Sequence, residues 1–494
     1  MSSTDCEKPP IDVIVASDKL AEPEPYIIFD RTQKRLITFV VTIVASSSTL
    51  ASNIYFPAIP TIAEDLNVSV QLVNLTVTAY FIFQGLAPSL WGPISDAKGR
   101  RTAYVGTLIV LLGACIGLAQ TKNYTMLIIL RCLQSTGSAS TNAIGSGVIG
   151  DITMRADRGG YMGFFQGVML ISIAIGPIIG GVLAGSLGWR SIFWFLTVYN
   201  GVLLMMVVFL VPETLRSIIG NGSRTPSQRI ARFPLTLYQR HTTVKWDADK
   251  APQQDPAPKR VDVLAPLRIL TSKMATAIII FFAIYFTVWQ MCITAMSTLF
   301  TARYGITEIQ TGLTFIANGA GSMVGTLITG KIMDRDYRRV HEKFENDERL
   351  ESDGRIFPLE RARLGPVPIY ASVQCLSILL FGWTVQYPDQ VHIAVPIVAT
   401  FFTGWSTVST QSNVTTYLVD IFHDRSAATT ASINLARCCL AAAGSSAILP
   451  MVHGVGAGGA FTICVAVQLV AMVGLGVQWK CGGVWRSVKE SAMS

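Results

Sequence analysis

Gly92-Pro93-Ile94-Ser95-Asp96-Ala97-Lys98-Gly99-Arg100-Arg101 and Gly330-Lys331-Ile332-Met333-Asp334-Arg335-Asp336-Tyr337-Arg338-Arg339 carry Gly, Asp and an Arg pair at the same spacing. Each stretch follows a long apolar run, and each run is the second in a group of six. A four-residue match in equivalent loops points to a duplicated six-helix unit whose halves face each other across a central site.

The rest of the chain agrees. Of 494 residues, 50% are hydrophobic and only 14% charged, with a mean hydropathy of +0.45. Soluble domains carry about 25% charged residues, and a membrane-spanning helix needs about 20 apolar ones. These values exclude a string of soluble domains, a disulfide-stapled module and a disordered chain. The net charge of +8 is no sign of nucleic-acid binding, because the basic residues sit in loops between apolar runs. The bilayer is the expected partner, and no nucleic acid is expected.

Runs of 18 or more uncharged residues place six spans near 36–58, 72–92, 102–120, 125–149, 160–186 and 190–211. Six more lie near 274–300, 311–330, 365–386, 392–418, 427–451 and 456–478. The expected organisation is a tail over 1–35, a half over 36–211, a linker over 212–273, a half over 274–478 and a tail over 479–494. The linker, rich in Pro, Lys and Arg, and the charged stretch 331–364 read as solvated loops, the first partly disordered. With a cytoplasmic N-terminus, 34 of the 39 basic residues lie inside, and the outer loops hold only Lys122, Arg190 and Arg303. Both termini are therefore read as cytoplasmic. The polar N-terminal stretch and the long first span predict an uncleaved chain. None of the nine cysteines falls in an outer loop, and no Cys/His spacing suits a metal. Asn67 and Asn123 begin outward-facing glycosylation sequons.

Gly92 to Arg101 resembles the loop 2–3 signature of the major facilitator superfamily, with Ile94 and Ala97 departing from it. Arg131-Cys132-Leu133-Gln134-Ser135 resembles the fourth-span motif, and Gly176-Pro177-Ile178-Ile179-Gly180-Gly181 the fifth-span motif of drug:proton antiporters. Ser52 to Pro57 and Gly188 to Phe195 are similar to the fungal twelve-span branch that includes quinidine-resistance, polyamine and citrate exporters. The resemblance implies an all-α membrane protein with two pseudo-symmetric six-helix halves. It implies export of a small organic compound by alternating access, coupled to protons, with no cofactor and no enzymatic activity. No ATP-binding or hydrolase motif argues otherwise.

Site expectations follow. Gly92, Asp96, Gly99, Arg100 and Arg101, with Gly330, Asp334, Arg338 and Arg339, form a charge latch that ties the halves together in one state. Pro177 removes a helical hydrogen bond mid-span, and Gly176, Gly180 and Gly181 permit close helix contact, so this segment reads as a hinge. Arg190 marks the outer end of the sixth span, and the only Lys, Arg, Asp or Glu residues buried within the spans are Arg131 and Arg437. Burying a charge at membrane depth costs at least about 2.5–3.5 kcal/mol, so both should face a partner or a cavity. Arg437, with Asn434 one turn before it, could offer a guanidinium to an anion. Arg131, Gln134, Asp151, Asn434, Arg437, Tyr285 and Trp289 are the expected substrate and proton path. Two cations without a buried acid favour an organic acid such as itaconate or citrate over a polyamine or other drug. Met169, where the resemblance implies a basic residue in citrate-exporter-like members, argues against citrate itself. A monomer in the plasma membrane is expected, with a vacuolar membrane as the alternative.

Overall fold

The computed structural model describes residues 26–154, 157–224, 232–242, 265–345, 357–422 and 426–491. Twelve long helices appear, labelled here in chain order. The first six are α1 (Arg31–Asn53), α2 (Val70–Lys98), α3 (Arg100–Ala119), α4 (Tyr124–Ile152), α5 (Arg158–Leu187) and α6 (Arg190–Leu210). The second six are α7 (Thr276–Tyr304), α8 (Glu308–Glu345), α9 (Val367–Gln386), α10 (Ala394–Ile421), α11 (426–455) and α12 (457–491). An even number of crossings puts both termini on one side, called here the termini side.

Eight helical stretches among the described residues are long and apolar enough to cross a membrane, and one of them holds both α11 and α12. The long helices outside that set are α4, α8 and α10. Their lower hydropathy has a packing reason. In α4, Arg131, Gln134, Ser135, Ser138, Ser140 and Thr141 are all buried, and in α10 so are Thr403, Ser406, Thr407, Ser409, Thr410 and Asn413. Polar side chains at this depth turn toward protein and away from lipid.

Local chemistry sets the helix starts. Ser69 Oγ accepts from Leu72 N at the head of α2, and Asn123 Oδ1 accepts from Met126 N at the head of α4. Gly456, at φ +77°, is the only break between α11 and α12. There Gln386 Oε1, reaching from the end of α9, accepts from Ala457 N at 2.7 Å and Gly458 N at 3.3 Å. A side chain from another helix thus caps α12.

The halves meet along two antiparallel helix pairs, α2 with α11 and α5 with α8. Both pairs are zipped at the end away from the termini. Thr61 Oγ1 donates to Glu308 Oε1 at 2.9 Å, Thr78 and Ser445 hydroxyls lie 3.2 Å apart, and the Phe56 and Phe315 rings stack at 6.3 Å. A side chain at Gly181 would strike the Glu308 carbonyl oxygen, and one at Gly312 the Pro177 carbonyl oxygen. At the termini side, Gly92, Gly160, Gly163, Gly167 and Gly330 have open space where a Cβ would stand. The molecule is closed at the far side and parted at the termini side.

Several sequence expectations need correction. The stretch 331–364 is not simply a loop: α8 runs on to Glu345, and a short helix, Leu359–Leu364, buries Glu360. Residues 479–491 are helical, not a free tail. The linker over 212–273 is folded in part. Its helix Leu235–His241 rests on the first half, where Tyr238 Oη donates to Leu210 O at 2.7 Å and burial pushes that phenol up to about 12. The N-terminal segment joins the same layer: Ile28 N donates to Asn221 O, Thr242 Oγ1 to Ile28 O, and Arg216 lies 3.9 Å over the Tyr26 ring. At the linker's other end, Pro266 O accepts from Ser432 Oγ of α11.

Candidate functional site

The two signature loops share a sequence but not a geometry. In the first half, Gly99 at φ +104° separates α2 from α3, and Arg100 opens the new helix. Arg100 Nε pairs with Asp151 at 2.9 Å and its Nη1 with Asp96 at 2.5 Å. In the second half α8 passes straight through Asp334, Arg338 and Arg339, all exposed. The counterpart of Arg100 there is Arg363, just ahead of α9, whose Nε pairs with Asp420 of α10 at 2.7 Å. The Arg pair at 338–339 is therefore not the structural equivalent of Arg100–Arg101. In this state Asp96 pairs inside its own half, and among the described residues Asp334 has no ion pair. The expected tie between halves is open, as the parted termini side requires.

Buried charge is also wider than the two arginines that the sequence singled out. Glu213, Arg101 and Glu360 are buried at the termini-side helix ends. Glu213 Oε1 accepts from the backbone N–H groups of Arg100, Thr214 and Leu215, and its Oε2 from Arg101 N. The carboxylate thus sits on the positive end of α3. Arg101 is held by the carbonyls of Phe233 and Val208. Glu360 takes both a 2.6 Å and a 3.1 Å contact from Arg486 and accepts from Tyr417 Oη at 3.1 Å. Glu213 stands just after the sixth span, at the head of the stretch expected to be a linker, where the sequence carries no sign of burial. Glu360 has none either, since its partner lies more than a hundred residues away.

At membrane depth the arginines differ in presentation. Arg131 is fully buried between the rings of Tyr55 and Tyr80, at 4.1 and 4.4 Å, and its Nη1 donates to Gln134 Oε1 at 2.6 Å. Cation–π contact is effective where water is excluded. Arg437 is half-buried. Its Nε and Nη2 both donate to Asn434 Oδ1, at 3.0 and 2.8 Å, and its guanidinium lies 4.7 Å over the Phe286 ring. Phe286 meets Trp289 edge-on, and Trp289 Nε1 donates to Asn318 Oδ1 at 2.9 Å. Arg437, Asn434 and Trp289 therefore form one group across α7, α8 and α11. Tyr285 does not join it: the ring is buried against Phe281 and Cys375 in the core of the second half. Asp151 belongs with Arg100 at the termini-side end. No carboxylate contacts either membrane-depth arginine among the described residues, and no cluster there could hold a metal ion.

Along α5, a Cβ at Gly180 would strike the Ile54 carbonyl, and one at Gly176 would stand 3.3 Å from the Asn53 Cβ. The glycines of the expected hinge thus admit α1 on one side and α8 on the other, with Pro177 between them. Asn67 (exposed, φ +50°) and Asn123 (exposed) lie on the far side, where Asn123 already caps α4.

Two six-helix halves around a buried polar centre, parted at one side only, define a multi-pass membrane transporter of the alternating-access kind. The chain belongs to the Major Facilitator Superfamily, whose profile matches residues 41–446, and such proteins are secondary transporters, not enzymes. It is 36% identical to "Citrate exporter 1" of Aspergillus niger over 477 residues, covering 95% of this chain and 90% of that one. It is 34% identical to "MFS antiporter QDR2" of Candida albicans over 445 residues, covering 90% and 87%. In fold it is similar to the xylose transporter XylE of E. coli in a partially occluded inward-open conformation, with a TM-score of 0.60 at 14% identity, covering 91% of this chain and 98% of that one.

Proposed function

We propose that this transporter exports a small carboxylate-bearing metabolite in exchange for protons, as a monomer in the plasma membrane with both termini in the cytoplasm. On that orientation the state described above faces inward. The observation that carries the reading is the pair of membrane-depth guanidiniums, Arg131 and Arg437, with only neutral partners among the described residues. Such a centre repels cations and attracts a carboxylate, which the Nη1–Nη2 edge of Arg437 can bind through two parallel hydrogen bonds while Asn434 holds the Nε side. The Aspergillus citrate exporter supports an organic acid. Proton coupling is supported by the antiporter relatives, with Asp96, Asp151 and the Arg131–Gln134 pair as the residues through which it acts. Asn67, exposed and without a capping role, is the better glycosylation candidate of the two.

A second reading, efflux of drugs or polyamines, is favoured by the aromatic wall of Phe286 and Trp289 and by the QDR relatives. Everted vesicles with an imposed proton gradient separate the two, tested with citrate, itaconate, quinidine and spermidine. Gradient-driven uptake of citrate or itaconate that Arg437→Ala abolishes supports the acid reading. Transport of quinidine or spermidine alone refutes it.

A further inference from the structure

Asn434 does more than hold Arg437. Its Oδ1 accepts both guanidinium contacts, while its Nδ2 donates to the backbone carbonyl of Gln84 at 3.3 Å, across the interface between the halves. That carbonyl is available for a sequence reason. Gln84 lies four residues before Pro88, inside α2, and proline has no N–H to close the helical bond. The freed oxygen of one half is thus met by an amide of the other. Just beside it, a side chain at Gly85 would stand 3.1 Å from the Cys438 Cβ, so the backbones are close here.

We propose that Asn434 is a positioning residue that makes the orientation of Arg437 depend on the conformation of the transporter. This rests on the reading of Arg437 as the anion-binding residue. In the state described here, Gln84 O fixes the amide, and the amide fixes the guanidinium over Phe286. When α2 and α11 rock against each other, the Gln84 bond is the contact that breaks, because it alone spans the two halves in this group. The Asn434 amide then loses its anchor in the other half and reorients, carrying the guanidinium bound to it. Substrate affinity therefore differs between the inward-facing and outward-facing states without any change in the residues that touch substrate.

The test uses purified full-length protein in proteoliposomes of known orientation, with citrate as the probe, or itaconate where citrate is not carried. Half-saturating citrate is measured at each face for the unmodified protein, Asn434→Ala, Pro88→Ala and Arg437→Ala. Asn434→Ala is expected to raise the cytoplasmic-face value by about tenfold, the effect of disordering one charge-assisted contact, and to leave the other face unchanged. Pro88→Ala returns an N–H to Gln84 and is expected to shift the same face in the same direction with Asn434 intact. Either variant alone decides the matter. Equal changes at both faces, or none at either, overturn the coupling role. Citrate transport that survives Arg437→Ala unchanged overturns the substrate reading instead, whatever the ratio between faces in the other two variants. Absence of both citrate and itaconate transport by the unmodified protein overturns both.

Discussion

Glu213→Gln removes one negative charge from a fully buried site and changes almost no volume. In the unmodified protein the carboxylate satisfies four backbone N–H groups, two of them at the start of α3. Glutamine keeps one oxygen for Arg100, Thr214 and Leu215, but those bonds drop from the charge-assisted range of about 1.5–3 kcal/mol to the neutral range of about 0.5–1.5 kcal/mol each. Its NH2 then faces the N–H of Arg101, donor against donor. Together with the lost interaction at the positive end of α3, the expected destabilisation is about 3–5 kcal/mol. For a unit the size of one half, that lowers Tm by about 10 °C. Thermal denaturation of the detergent-solubilised protein, followed by the fraction that stays monodisperse, gives the value. Glu64→Gln at an exposed position is the control and is expected to leave Tm unchanged. Gly99→Ala should resemble Glu213→Gln, because its Cβ would collide with the Glu213 carboxylate at a φ of +104°. A Tm within about 2 °C of the unmodified protein for Glu213→Gln would refute the reasoning.

Asp151→Asn should lower stability more than Asp96→Asn, since Asp151 is 16% exposed and Asp96 48%; about 1.5–3 against about 0.2–1 kcal/mol is expected in the same assay. Glu360→Gln leaves Arg486, 12% exposed, without its counter-charge, and a loss of about 1.5–3 kcal/mol should show as a drop in Tm. Gly181→Ala drives a methyl into the Glu308 carbonyl of the other half, so the far side should fail to close: transport falls while the surface level is kept, and a cysteine placed near Thr61 becomes reactive from outside. Tyr285→Phe removes only a 3.5 Å contact to the Cys375 sulfur and should leave initial transport rates unchanged, whereas Trp289→Phe, which frees Asn318, should lower them.

The twelve helices were legible because hydrophobic runs of spanning length are a one-dimensional signal, and the repeat at Asp96 and Asp334 showed the duplication. Positions within the repeat were less so. The Arg pair at 338–339 matched in sequence, yet nothing comparable to Gly99 interrupts α8, so the pair rides on a continuous helix while Arg363 makes the ion pair. Arg131, Gln134, Arg437 and Asn434 were found because polar groups inside apolar runs stand out. Glu213 and Glu360 escaped notice because they lie in polar stretches, where burial is decided by what folds over them. Tyr285 and Trp289 share a helical stripe, but the helix turns one into its own half's core and the other toward α8. Periodicity of 3.6 residues separates faces without saying which neighbour each face meets.

The layer formed by residues 26–29 and the helix Leu235–His241 bears on how the chain is assembled during synthesis. Tyr26 to Phe29 leave the ribosome before any membrane helix, yet the segments that enclose them, Arg216 to Thr242, are translated only after α6. The first half is therefore finished at Thr242, not at Val211. A chain divided for co-expression after residue 211 separates Arg101 from Phe233 and Tyr238 from Leu210, whereas a cut beyond Thr242 leaves the whole layer with the half it covers.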